Sequence, residues 1–196
     1  SNLGQTLLNI VSIWNGGLAI FGGIIAGFFA ALLVARRKKI HFSVILDILA
    51  PSVMIGQILG RWGNFFNAEA YGRETTLPWR MRIERISAGG LYTTSTEVHP
   101  TFLYESLWNL IGFVLIAIFY KKKKFNGQVF YFYMIWYGAG RAFIEGLRTD
   151  SLLIAGNPNL RVSQILATLV CIAGIVLMAL GYSRLKKKES GKTAAS

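Results

Sequence analysis

Four residues with strong acid–base or hydrogen-bonding groups recur at helical spacing late in the chain: Tyr137, Arg141, Glu145 and Arg148, at i, i+4, i+8 and i+11. On a helix all four share one face. Arg141 and Glu145 can pair there, which lowers the cost of burying either. A guanidinium also suits phosphate, because its planar fork donates two parallel hydrogen bonds. Two readings follow: an ion pair that joins helices, or a site for a phosphate or glycerol group. A second constellation fills residues 60–73, GRWGNFFNAEAYGR, where Arg61, Asn64, Asn67, Glu69, Gly72 and Arg73 stand among Trp62, Phe65, Phe66 and Tyr71. Gly60 and Gly63 predict a loosened helix end that turns backbone N–H groups toward a ligand. The aromatic residues suit a membrane interface. A third lies in VHPTFLYE, where His99 can accept a proton or serve as a hydrogen-bonded interfacial residue, and Tyr104 and Glu105 follow one turn into an apolar segment. No phosphate-binding glycine loop, zinc-type His/Cys cluster, G-x-S-x-G elbow or dinucleotide fingerprint is present, so neither a metal nor a cofactor is expected.

Holding such groups requires long apolar elements. The chain has 196 residues, 53% hydrophobic and 15% charged, against about 25% charged in soluble domains. Continuous apolar runs near 20 residues predict an all-α, polytopic membrane helix bundle in a single domain over 1–196, with spans near 17–35, 44–60, 102–120, 127–147 and 162–182. Continuous runs argue against a barrel of alternating strands. The net charge of +12 fits either nucleic acid or a membrane surface, and position decides. Three clusters of four, Arg36–Lys39, Lys121–Lys124, and Arg184 with Lys186–Lys188, each follow an apolar run. That is the pattern of cytoplasmic span ends, not of a stripe tracking a phosphate backbone, so no nucleic-acid partner is expected. Five spans bring all three clusters to one side. The N-terminus, the connection 61–99 and the loop 148–160 then lie outside, and the C-terminus is cytoplasmic.

On that topology Arg61, Arg73, Arg80, Arg82, Arg85, Arg141 and Arg148 fall at or near the outer side, against the positive-inside tendency. The carboxylates counted on the same side are Glu69, Glu74, Glu84, Glu97, Glu145 and Asp150, and an external anion, such as a phospholipid phosphate, is the natural further partner. Other features read as structural. Cys171 is a small hydrophobe, His41 is solvated, and Gly22, Gly23, Ala26, Gly27 and Ala30 form a helix-packing face. Asp47 is a pathway residue or the partner of a nearby cation. No basic n-region of a signal peptide precedes Arg36.

GRWGNFFNAEAYGR closely resembles the signature of the prolipoprotein diacylglyceryl transferase family, G-R-x-G-N-F-x-N-x-E-x-x-G. WNGGLAIFGG at 14–23, HPTFLYE at 99–105 and YGAGRAFIEGLR at 137–148 are similar to further stretches of that family, in the same order, so the resemblance covers nearly the whole chain. It implies a multi-pass enzyme of the bacterial plasma membrane with its active site toward the outer side. Its substrates would be phosphatidylglycerol and a prolipoprotein signal peptide with a lipobox cysteine. The diacylglyceryl group would pass to the cysteine thiol and glycerol phosphate would leave. Family members usually have seven spans, so five spans of the same parity resemble the family without its first two helices. The resemblance implies site roles for Arg61, Asn64, Glu69 and Gly72 from the signature, and for Tyr137, Arg141 and Glu145 from the later helix. Asp47 and His99 match other recurring positions. Arg61 and Arg141 would hold the phosphate. The sequence departs from the pattern at Phe21, where many members carry a histidine proposed as base, and at Phe102, where glutamine is common. The base is then His99 or Glu145, unless cationic stabilisation of the thiolate suffices. A transporter or channel with an outward-facing anion site is the alternative from another class.

Overall fold

The structure, a computed structural model, describes residues 18–86, 93–149, 153–154 and 157–193. Among the described residues five α-helices dominate: α1 (Leu18–Lys38), α2 (Phe42–Phe66), α3 (Thr101–Phe119), α4 (Gln128–Glu145) and α5 (Val162–Thr193). Among the described residues, the stretches Phe42–Phe66, Thr101–Lys122 and Val162–Gly191 are long and apolar enough to cross a membrane. The distribution of side chains is inverted relative to a soluble domain. Leu59, Ile118, Leu166 and Leu169 are exposed, whereas Asp47, Thr101, Glu105, Ser106, Asn109 and Glu145 are buried. Apolar side chains outside and polar groups inside suit lipid as the solvent.

The chain divides into two compact units, Ser1–Leu46 and Asp47–Ser196. In the first, α1 ends in Arg36, Arg37 and Lys38, and Lys39, at φ 54°, turns the chain toward α2. Phe28 meets Phe29 and Phe42 edge-on at 5.7 and 5.5 Å. Residues 14–17 of the WNGG segment, the N-terminal stretch expected outside the membrane, Asp150 and the side chain of Phe21 lie outside the described residues.

In the second unit the all-α expectation needs correction. The two connections expected as loops each carry an antiparallel ribbon, β1 (Met81–Ile86) with β2 (Thr93–Val98), and β3 (Leu153–Ile154) with β4 (Asn157–Arg161). The cause is visible locally: Met81-Arg-Ile-Glu alternates apolar and charged, and Thr93–Val98 is rich in β-branched residues. A further correction concerns α2, which does not stop at Gly60. Gly60 and Gly63 stay helical, so Arg61 and Asn64 sit on its last two turns. The helix ends at Phe66, after which Ala68 and Ala70 adopt φ of 49° and 56°.

Helix contacts set the frame. Ser106 Oγ donates to the Ile58 carbonyl (3.2 Å), joining α3 to α2. Gln57 Nε2 donates to Tyr133 Oη (2.9 Å), joining α2 to α4. Gly138 of α4 faces the backbone of α5, where a Cβ would come within 2.7 Å of the Ala167 carbonyl oxygen, so the two helices approach closely. Asp47, fully buried, serves as a tertiary cap for α4. It accepts from the backbone N–H of Gly127 (2.8 Å) and Phe130 (3.0 Å) and from Lys123 Nζ (3.0 Å). Of its two sequence readings, pairing with a cation is the one observed.

Candidate active site

At the opposite end of α2 and α4 from Asp47, charged residues from three elements converge on one carboxylate. Glu105, one turn into α3 and 4% exposed, receives Arg61 Nη2 of α2 at 2.7 Å and Arg141 Nη1 of α4 at 2.9 Å. Arg148 Nη1 approaches the same carboxylate at 3.8 Å. Arg141 uses its other nitrogen on Glu145 at 2.7 Å. Glu145, 1% exposed, also accepts from Arg161 at its backbone carbonyl. Three guanidinium groups thus face two carboxylates in a site largely shielded from solvent.

Sequence reasoning placed Arg61, Arg141, Glu145 and Arg148 here but left Glu105 out of the outer carboxylates. The signal was present: Glu105 is the one charged residue in the nineteen of α3, and a lone carboxylate in an apolar span needs a partner. Arg148 is not on the helical face with Tyr137 and Arg141, because α4 ends at Glu145. It reaches Glu105 from the following turn. Two more outer arginines are served internally, Arg80 by Glu97 and Arg82 by Glu84 at 3.3 Å. Tyr137 stacks on Tyr133 (5.7 Å, 15°) and, with Glu105, Asn109 and Arg141, lines a cavity of about 10 Å³. That space admits no more than a single water.

The 60–73 stretch builds the wall beside Arg61. Arg61 Nη1 donates to Asn64 Oδ1 (3.4 Å), and Asn64 and Asn67 both donate to Glu69 Oε1 (3.0 and 3.2 Å). The chain then runs extended between two other segments. Gly72 N donates to the His99 carbonyl, His99 N to the Arg73 carbonyl and Arg73 N to the Leu147 carbonyl, at 2.9, 3.0 and 2.9 Å. Gly72 is required by this approach, since a Cβ would lie 2.6 Å from His99 Cβ. His99 and Arg148 therefore lie on either side of one strand, roughly 10 Å apart along the backbone ladder. The His99 ring is held by Tyr104, with Nδ1 3.2 Å from Oη, and Trp79 Nε1 donates to the same hydroxyl at 2.8 Å.

Among the described residues no cluster of three His, Cys, Asp or Glu side chains has metal-ligand geometry. What the site gathers is guanidinium groups, whose forks suit paired-oxygen anions and here hold Glu105 and Glu145, with a histidine held nearby.

Comparison with known proteins supplies a family. The family model described as prolipoprotein diacylglyceryl transferase matches residues 2–180. The chain is 50% identical over 189 residues to the phosphatidylglycerol--prolipoprotein diacylglyceryl transferase of Streptococcus pneumoniae serotype 2, covering 93% of this chain and 68% of that protein. It is 47% identical over 177 residues to the protein of the same name from Finegoldia magna, with 90% and 64% covered. Against that of Lysinibacillus sphaericus it is 45% identical over 192 residues, with 93% and 67% covered.

Proposed function

The chain belongs to the prolipoprotein diacylglyceryl transferase family, and we propose that the arginines gathered on Glu105 are where it carries out the transfer for which its relatives are named. The diacylglyceryl group of phosphatidylglycerol passes to the thiol of a lipobox cysteine. A C–S bond forms, the glyceryl C–O bond to phosphate breaks, and glycerol phosphate leaves with the electron pair. The observation that carries this reading is the meeting of Arg61, Arg141 and Arg148 at one buried carboxylate.

In that reading Glu105 stands in for the lipid phosphate. Both are anions with paired oxygens that fit a guanidinium fork. The neighbouring cavity is too small for a headgroup, so the phosphate exchanges with Glu105 rather than adding beside it. Exchange keeps each arginine paired before and after, while the displaced, buried Glu105 must take up a proton or turn out toward solvent to avoid being left as an unpaired charge. As the C–O bond breaks, negative charge grows on the leaving phosphate. The same forks then bind it more tightly than the substrate, which is the difference that lowers a barrier. Asn64, Asn67 and Glu69 position Arg61, Gly72 admits the close strand, and Tyr137 lines the site.

The thiolate is the nucleophile, so the thiol proton must leave. Glu145 already holds Arg141 and is buried, so a thiol reaches it only by opening the cluster. His99 is half-buried and is the better base. For that role Nδ1 carries the ring proton and donates to Tyr104 Oη, which leaves the Nε2 lone pair for the thiol. Tyrosine oxygen has lone pairs for both the His99 and Trp79 donors.

We further read all five helices as spans with the three basic clusters in the cytoplasm and the arginine site outward, in a bacterial plasma membrane. With Cys171 replaced by alanine, a cysteine at exposed Thr76 should react with an impermeant maleimide added to intact cells, and one at exposed Asn126 should not. The reverse pattern overturns the orientation.

The direct test of function is incubation with phosphatidylglycerol and a lipobox peptide, followed by peptide mass. A diacylglyceryl adduct is expected, nearly abolished by Arg141→Lys, which keeps the charge and loses the fork. Full activity of the lysine variant would remove the geometric part of the argument.

A further inference from the structure

A second basic site lies at the other end of α4. A groove of about 440 Å³ runs between the α3–α4 turn and the C-terminal half of α5, lined by Lys124, Phe125, Tyr131, Leu180, Arg184 and Lys188 among others, with no carboxylate among its lining residues. Cations at a span end are ordinary and by themselves make a solvated fringe. The construction of the groove goes further. Phe125 folds back onto α5 at Gly181, where a Cβ would come within 2.4 Å of its ring. The ring meets Tyr182 edge-on at 5.3 Å, and Lys124 Nζ lies 6.0 Å from the Tyr182 ring centre. Tyr182 Oη accepts from Gln128 Nε2 at 2.9 Å, which fixes that ring to α4. One side of the groove is therefore rigid, and Lys124 is held near it.

The other side is a graded stripe. Leu177, Leu180, Arg184 and Lys188 fall at i, i+3, i+7 and i+11 on α5, one face of the helix. Over roughly 16 Å of axis the stripe passes from exposed leucines to exposed cations. A free phosphate would use only the cationic end. A phospholipid uses both, its acyl chain along Leu177 and Leu180 and its phosphate among Lys124, Arg184 and Lys188.

We propose that this groove binds the phosphate headgroup of an anionic phospholipid, in the leaflet opposite the arginine site, as a ligand that ties the α3–α4 turn to α5. The proposal requires the chain to sit in a bilayer but not that it be a transferase, so its test reads lipid binding alone.

The probe is fluorescent dioleoyl phosphatidylserine in neutral detergent micelles, titrated with the full chain and competed with dioleoyl phosphatidylcholine or inorganic phosphate. Juxtamembrane cations each contribute about fivefold in affinity, so removing three should weaken binding on the order of 10²-fold. The groove variant Lys124→Ala/Arg184→Ala/Lys188→Ala is compared with Lys121→Ala/Lys122→Ala/Lys187→Ala, which removes the same charge from exposed residues outside the groove. The expected result is the full loss in the first and less than about threefold in the second. Lys188→Ala alone, near the exposed end of α5, should cost about fivefold and guards against a folding failure of the triple variant. Leu177→Ser/Leu180→Ser should weaken lipid binding without changing any competition by inorganic phosphate. Equal losses in the two triple variants, or no loss with Lys188→Ala, would overturn the site. Inorganic phosphate that competes as well as the anionic lipid, with no effect of the leucine substitutions, would assign the groove to free phosphate instead.

Discussion

Trp108 and Trp136 are joined twice across α3 and α4: each indole N–H donates to the other residue's backbone carbonyl, at 2.9 and 2.8 Å, and the rings stack at 4.6 Å. Two glycines make room for the pair. A Cβ at Gly140 would lie 2.2 Å from Trp108 Nε1, and one at Gly112 would lie 2.4 Å from the Trp136 ring. This clasp fixes the register of the two helices. Glu105, one turn before Trp108, then meets Arg141, the residue after Gly140.

Gly140→Ala should therefore act on the charged site through packing. The methyl group must push Trp108 aside and shift α3 against α4. Overpacking of this kind costs about 1–3 kcal/mol, and activity should fall further than stability, because a small displacement separates Glu105 from Arg141. Gly56→Ala is the comparison, since nothing lies within 4 Å of its added carbon. It should be neutral or slightly stabilising. Melting temperature and transfer rate measured together check this. Equal behaviour of the two variants would mean that the clasp does not set the site.

Glu105→Gln should produce two effects of opposite sign. Losing the charge leaves Arg61 and Arg141 short of a partner, and breaking a buried ion network costs about 3–5 kcal/mol. If substrate phosphate exchanges with Glu105, removing the internal anion also removes its competitor. Soluble glycerol phosphate should then raise the melting temperature of Glu105→Gln by several degrees while barely moving the parent. An equal shift in both proteins would end the exchange account.

Much of this architecture is legible from sequence and some of it is not, for identifiable reasons. Apolar runs place the helices, because lipid demands internally paired backbone, and the basic clusters suggest an orientation. Periodicity also puts Tyr137 and Arg141 on one face. It cannot say which helix that face meets, so Glu105 was visible as a charge but not as the partner of Arg61 and Arg141, which are tens of residues away. Helix ends are decided by contacts of the same kind. Arg61 and Asn64 stay helical beyond Gly60, and Arg148 enters the site from a turn. The ribbon from Met81 was missed despite its alternating pattern, since six residues of alternation weigh little beside long apolar runs.

Asp47→Asn separates a structural polar group from the site. Asparagine can keep one of the bonds to Gly127 or Phe130 but cannot hold the charge of Lys123. A destabilisation of about 3–5 kcal/mol is expected for a broken buried pair. Asp47 and Arg61 are fourteen residues apart on α2, roughly 21 Å along the axis. KM for phosphatidylglycerol should therefore stay within about twofold in the fraction that remains folded. A large change in KM with unchanged melting would show that Asp47 belongs to the substrate path after all.

The remaining question is the base, and the pair His99 and Tyr104 makes it testable. His99→Gln keeps hydrogen bonding and loses basicity, so turnover at pH 7 should fall by roughly 10²–10⁴-fold, the usual range for a general base. Raising the pH toward about 8.5, the pKa of a free thiol, should partly restore it, because more of the substrate is then thiolate already. Tyr104→Phe removes the acceptor that holds the ring proton on Nδ1. It leaves a histidine of intact basicity but unfixed tautomer. Its loss should be smaller, on the order of tenfold, and its pH–rate profile should keep the parent's shape. A structural role for both residues predicts something else: parallel losses at every pH, tracking the fall in melting temperature. The decisive measurement is the pH–rate profile of the three proteins from pH 6 to 9. Should His99→Gln coincide with the parent throughout, the proton leaves without His99, and stabilisation of the thiolate by Arg61 and Arg141 takes its place.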